Sequence, residues 1–167
     1  FPNLRSLGAA ESDSVLKLWE GLGYYNRARY LHRLSQTVMK NWGGKIPENF
    51  DDLIRLPGIG KSTAGSVLSI AFGKNFPILD GNVKRVLARF HGISAPMNSR
   101  TENKLWSLSE QSLLDGSAGD TNSALMDLGA TVCVPRRPAC GDCPWEDACT
   151  ARRTGRTGEL PRKLAAK

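Results

Sequence analysis

The chain has 167 residues, 40% of them hydrophobic and 7% aromatic, enough to bury one core or two small ones sharing an interface. No apolar run approaches the roughly 18 residues of a membrane span, and the longest, Thr63 to Phe72, is broken by Gly65 and two serines, which argues against a membrane role. The formal net charge of +7 is uneven, because residues 150–167 hold Arg152, Arg153, Arg156, Arg162, Lys163 and Lys167 against Glu159 and leave only +2 for everything before them.

Helical periodicity runs along the chain with no alternating pattern of useful length, which predicts an all-α fold without internal repeats. From Asp13, the positions Val15, Leu16, Leu18 and Trp19 form one helical stripe that Gly21 and Gly23 end. Tyr24 to Trp42 reads as a long helix with Tyr30, Leu31, Leu34 and Val38 inward, closed by Gly43 and Gly44. Asn49 can cap a short helix through Leu53, Ile54 and Leu56; Pro57 to Gly60 makes a tight turn, and Lys61 to Phe72 resumes the helix. Gly73 to Leu79, with Pro77, is an extended connector. Helices follow at Gly81 to about Phe90, with Val83, Val86 and Leu87 inward, at Ser99 to Leu114 and at Thr121 to Val132. From Thr150 the composition turns to Arg, Thr, Gly, Pro and Lys, so the fold is expected to end near Ala151 and residues 150–167 to form a basic linker. Such a tail is a solvated linker or a source of phosphate affinity, and charge alone does not choose.

Three motifs carry chemistry. In Leu56-Pro57-Gly58-Ile59-Gly60, the glycines let the backbone turn sharply and approach a ligand. The helix that follows turns its N-terminal N–H groups outward beside Lys61, an arrangement suited to phosphate, although Pro-Gly-x-Gly is also an ordinary connector. In Ile78-Leu79-Asp80-Gly81-Asn82-Val83-Lys84-Arg85, Asp80 stands at a helix start, where a carboxylate is also an ordinary N-cap. Cys133, Cys140, Cys143 and Cys149, the four cysteines of the chain, fall within seventeen residues at the spacing C-x6-C-x2-C-x5-C. Their crowding points to a metal centre rather than to disulfides, and on spacing alone an iron–sulfur cluster and a four-cysteine zinc site both remain open.

Taken together, the turn, the helix, the aspartate and the cysteine quartet resemble the helix-hairpin-helix, Gly/Pro-rich loop, aspartate superfamily of DNA glycosylases. Trp19 to Tyr25, Leu56 to Gly65, Phe76 to Arg89 and Asn103 to Trp106 are similar in particular to MutY-type adenine DNA glycosylases, over residues 1 to about 151. The resemblance implies a helical glycosylase core over 1–132, with the hairpin at about 53–72 and the aspartate loop at 76–84, a [4Fe–4S] cluster loop over 133–149 and the basic tail. It implies excision of adenine mispaired with 8-oxoguanine or guanine, after the base is flipped out of duplex DNA. Asp80 then matches the aspartate that stabilises the oxocarbenium-like sugar. Ser62 and Asn82 line the site, and Tyr24 wedges beside the 8-oxoguanine. Gly58, Gly60, Lys61, Lys84, Arg136 and Arg137 meet the DNA, and the four cysteines hold the cluster. A monomeric enzyme of the bacterial cytoplasm, associated with the nucleoid, is the corresponding expectation.

Endonuclease III-type enzymes share these motifs but use a lysine nucleophile two residues after the second hairpin glycine, where this chain has Ser62. Lys61 falls one residue earlier, about 100° around the helix, so a Schiff-base lyase is not expected as the main chemistry, although Lys84 could give weak trapping. A non-catalytic DNA-binding module is the rival from another class. In MutY-type enzymes a segment earlier than Phe1 carries the glutamate that protonates adenine, together with an intercalating Gln-Gln-Thr-Gln stretch, and a C-terminal domain helps recognise 8-oxoguanine. Residues 1–167 by themselves are therefore expected to lack substantial excision.

Overall fold

The computed structural model describes residues 1–162, and all their regular structure is helical. Two compact units result, Phe1–Ala64 and the described residues from Gly65 onward.

In the first unit, α1 (Leu4–Gly8) and α2 (Ser12–Leu18) pack on the long α3 (Tyr25–Trp42). The inward stripe of α3 comprises Ala28, Leu34 and Val38, and α2 contributes Val15. Tyr30 and Leu31, expected inward, are exposed, because α3 turns them to an open groove instead. Gly43 closes α3 with a left-handed φ of 60°. Helix α4 (Phe50–Leu53) is capped by the Asn49 side chain, which accepts from Asp52 N at 2.9 Å. The chain then reaches α5 (Lys61–Ser66) through the turn in which Ile59 N donates to Leu56 O.

The second unit is built on α6 (Gly81–Phe90). Val83, Val86, Leu87 and Ala88 join Ile78, Leu79, Ile93, Leu105 and Leu125 in its core. Each large side chain fully buried there contributes about 1.5–3 kcal/mol. Helices α7 (Ser99–Gln111) and α8 (Ala118–Asp127) flank α6. The helix expected over Lys61 to Phe72 passes from α5 into a π-helical turn, Val67–Ala71, and α8 passes into another, Leu128–Val132.

The expected end of the fold near Ala151 is corrected by the packing. Helix α9 (Thr150–Arg153) buries Ala151 completely, and Leu160 is 2% exposed. Arg162 O accepts from Met97 N at 3.1 Å. Two apolar side chains, Ala151 and Leu160, anchor a polar, basic stretch, and composition averages such residues away. Lys163 and Lys167, counted in the basic tail, lie outside the described residues.

Candidate functional site

The connector before α6 is fixed from three sides. Asn122 Nδ2 donates to Phe76 O at 2.8 Å and Ser109 Oγ to Ile78 O at 2.6 Å. Gly65 lies so close that a Cβ there would come within 2.2 Å of Pro77 O. Buried donors spent on a connector's carbonyls give an irregular segment the rigidity of a strand. Asp80, which follows, is therefore held in place. Its Oδ1 accepts from Val83 N at 2.8 Å and caps α6, while the residue stays half-buried rather than sealed in the core.

Two arginines on α6, neither anticipated from the sequence, tie this helix to the cysteine loop. Arg85 donates to Asn82 Oδ1 (2.9 Å), Gly129 O (2.7 Å) and Cys133 O (2.7 Å). Burial holds its pKa below the usual value, an effect that Cys133 opposes, Arg89 reinforces and Asp80 opposes. Asn82 packs so tightly on Gly129 that a Cβ there would lie 2.6 Å from its own. Arg89 is 2% exposed and donates to Leu160 O, Cys133 O, Val134 O and Pro135 O, and to Cys133 Sγ at 3.4 Å. Helical spacing placed both residues on α6; apart from Asn82, the partners named are 44 or more positions away in sequence, and no local signal carries that.

Arg89 pins the chain immediately before Arg136 and Arg137, and Ala139 N closes the loop base onto Val132 O at 3.0 Å. Both loop arginines are exposed, and Arg137 has a left-handed φ of 52°. The ion pair of Lys84 with Glu102 turns that lysine toward α7.

The four cysteines form no disulfide and line one cavity with Arg89, Glu146 and Arg152. Burial pushes the Cys140 thiol up; Arg152 opposes this, while Cys133, Cys149 and Cys143 add to it. Among the described residues no three His, Cys, Asp or Glu side chains are placed to hold a single ion. Four cysteine sulfurs around one cavity are a soft donor set of the kind that holds an iron–sulfur cluster or zinc. The buried Arg89 guanidinium otherwise meets only neutral acceptors, and anionic thiolates on iron give it the countercharge that burial demands.

In the first unit, Tyr24 precedes α3 with φ 48° and ψ 45°, a costly conformation for a bulky side chain, and is 81% exposed. Trp19 Nε1 donates to Gly23 O at 2.9 Å and steadies the loop, and the Arg27 guanidinium lies 5.5 Å from the Tyr24 ring centre. A groove of about 630 Å³ brings Tyr24 together with Tyr25, Tyr30, Arg29 and Gly58. Gly58 has φ 79° and no room for a Cβ, which would meet Tyr30 at 2.6 Å, whereas nothing lies within 4 Å of a Cβ at Gly60. Lys61 is exposed and Ser62 half-buried.

Residues 1–111 match the family model described as HhH-GPD superfamily base excision DNA repair protein. The chain belongs to the HhH-GPD superfamily. Residues 133–149 match the iron–sulfur binding domain of endonuclease III, so the HhH-GPD chain carries a [4Fe–4S] cluster held by Cys133, Cys140, Cys143 and Cys149. When bound, the cluster cross-links the loop that Arg89 anchors.

Among its relatives, the adenine DNA glycosylase of Buchnera aphidicola subsp. Acyrthosiphon pisum is 44% identical over 153 residues, covering 91% of this chain and 44% of the relative. The adenine DNA glycosylase of Homo sapiens is 44% identical over 154 residues, covering 91% and 28%. The chain thus spans less than half the length of these curated relatives. Among solved structures, a thermostable thymine-DNA glycosylase superposes with a TM-score of 0.80 at 30% identity, covering 92% of this chain and 71% of that one. Endonuclease III in a non-covalent DNA complex gives 0.76 at 25% identity, covering 93% and 72%.

Proposed function

We propose that the protein is an adenine DNA glycosylase of base-excision repair, hydrolysing the N-glycosidic bond of adenine opposite 8-oxoguanine or guanine in duplex DNA. The observation that carries this reading is Asp80, a carboxylate fixed at the start of α6 by its bond to Val83 N, on a helix tied through Arg85 and Arg89 to the cluster loop. A carboxylate so held stabilises the positive charge that develops on the sugar as the base departs, without reorganising during the step. Asn82, locked between Arg85 and Gly129, keeps the first turn of α6 in register.

In this reading Gly58, Gly60 and Lys61 take backbone phosphates at the hairpin, and Arg136 and Arg137 take others from the cluster loop. Tyr24, presented on a strained and exposed turn, wedges beside the 8-oxoguanine and compensates for the stacking lost when adenine flips out. Lys84 stands apart, since its ammonium is committed to Glu102. Ser62, where a lyase has its lysine, favours hydrolysis without strand cleavage. A monomer of the bacterial cytoplasm, associated with the nucleoid, is part of the same proposal.

The test is a single-turnover assay of the full-length protein on duplexes with adenine opposite 8-oxoguanine, guanine or thymine, scored with and without alkali. Adenine release opposite 8-oxoguanine and guanine, with strand breaks after alkali alone, supports the proposal. Breaks without alkali would favour the endonuclease III type, and binding without release a non-catalytic module.

A further inference from the structure

The end of α6 away from Asp80 opens on a cleft that the proposed hydrolysis does not use. Helix α6 is ten residues long, about 15 Å, with Val83, Val86 and Leu87 buried along it, so a layer of core separates its two ends. Beyond Phe90, the loop leading to α7 and the first turns of α7 border an open cleft of about 520 Å³. His91, Ser94, Asn98, Arg100, Thr101 and Lys104 line it, and none of the described residues around it is acidic. Arg100 and Lys104 stand four residues apart on α7, on one face of the helix, and both are exposed.

These cations lack a countercharge. Among the described residues no carboxylate pairs with Arg100, Lys104 or His91, and the carboxylates nearest to them and to Arg162 in sequence are spent elsewhere, Glu102 on Lys84 and Glu159 on Arg156. Met97 N donates to Arg162 O at 3.1 Å, which brings a further basic residue to the same loop. Lys104 already adds to burial in lowering the His91 pKa, as like charges do when no anion lies between them. Arginine, lysine, serine and asparagine side chains are the usual donors to backbone phosphates. A protein partner would need an apolar anchor, and among the described residues no large apolar side chain is exposed between His91 and Lys104.

We propose that this cleft is a second phosphate site, which takes the backbone of a DNA segment other than the one bound at Asp80 and lets the protein pass between duplexes without first being free. The inference rests on the glycosylase reading above for the duplex at Asp80 and goes beyond it. With one site, a bound protein leaves its duplex at a rate that other DNA does not change; with a second, incoming DNA is engaged before the first is released.

Dissociation in the presence of competitor DNA tests the proposal. The full-length protein is bound to a labelled duplex carrying a tetrahydrofuran abasic analogue, so that no base release intervenes, and is challenged with rising unlabelled duplex. The dissociation rate should climb several-fold by about 10⁻⁴ M competitor, the weak end of non-specific affinity. Arg100→Gln combined with Lys104→Gln should abolish the climb and leave the rate extrapolated to zero competitor unchanged. Arg100→Lys with Lys104→Arg should retain it, as should Arg33→Gln with Lys40→Gln, which removes equal charge from exposed positions on α3. A rate independent of competitor in the unmodified protein overturns the proposal. So does a climb that survives the loss of Arg100 and Lys104 at unchanged iron content and melting temperature. Tripolyphosphate and polyglutamate serve as further competitors: either one acting as strongly as duplex at equal charge would make the cleft a general anion or acidic-peptide site and overturn its assignment to DNA. A protein that does not hold the abasic duplex at all would sink the glycosylase reading and this proposal with it, whereas competitor-independent release from a protein that does hold it sinks this proposal alone.

Discussion

The guanidinium of Arg89, 2% exposed, donates to the sulfur of Cys133 at 3.4 Å while the same side chain holds the backbone of Leu160. One residue therefore joins the core helix, the first cysteine of the cluster and the segment beyond the last. Arg89→Met should leave at least four carbonyls without their donor and cost about 3 kcal/mol or more. The expected result is a lower denaturation midpoint together with fewer than the four irons per chain of the intact cluster. A variant with full iron and an unchanged midpoint would contradict this role.

Asp80 combines a cap with a charge, and the two separate by substitution. Asparagine caps helices about as well as aspartate, so Asp80→Asn should alter stability by less than about 0.5 kcal/mol. Excision should nevertheless fall by about 10²-fold or more, because the developing sugar charge loses its countercharge. Duplex affinity measured by anisotropy should be retained.

The hairpin glycines differ in what they tolerate. Gly58→Ala meets Tyr30 at 2.6 Å and a φ of 79°, and should cost about 1–3 kcal/mol in thermal or chemical unfolding. Gly60→Ala has open space and should fold normally. Its effect should appear in DNA affinity instead, since the added methyl stands where a phosphate would approach.

Arg136→Ala and Arg137→Ala should each weaken duplex binding to a similar extent on matched and mispaired DNA and reduce the salt dependence by about one counterion. Arg137→Gly isolates the charge from the backbone, because glycine accepts the φ of 52° without strain. An unchanged salt slope in all three would remove the loop from the DNA interface.

His91 has its pKa lowered, first by burial and second by Lys104. The folded state thus prefers the neutral ring, and the unfolded chain binds more protons below about pH 6.5. Stability should decline as pH falls through that value, and melting temperatures of the unmodified protein and His91→Gln should converge between about pH 7.5 and 5.5. Lys104→Gln should lessen the slope without abolishing it, since burial is the larger cause.

Some of this was legible before any coordinates. Gly43 and Asn49 act at the ends of helices where a sequence reader places them, since caps depend on local backbone conformation. The span of α6 follows from its apolar period. The boundary of α8 did not, for Ala118 to Asp120 carry no apolar stripe to mark the helix, and the π-helical turns extend two helices by a geometry that periodicity does not distinguish from the α form. Tyr24 could be named as a candidate from resemblance, yet its left-handed φ and its exposure come from the turn it occupies.

By itself the sequence determined the helical class, the turn before α5, an aspartate at the head of α6 and the thiolate set for one metal centre, because spacing, caps and ligand chemistry act over a few residues. Tertiary structure alone decided that Arg85 and Arg89 wire that helix to the cysteines, that Asn122 and Ser109 fix the connector, that Glu102 holds Lys84 and that Leu160 is core. Those contacts join positions 18 to 71 apart in sequence. Which distant partner a buried donor finds depends on how the helices pack, and no local pattern encodes it.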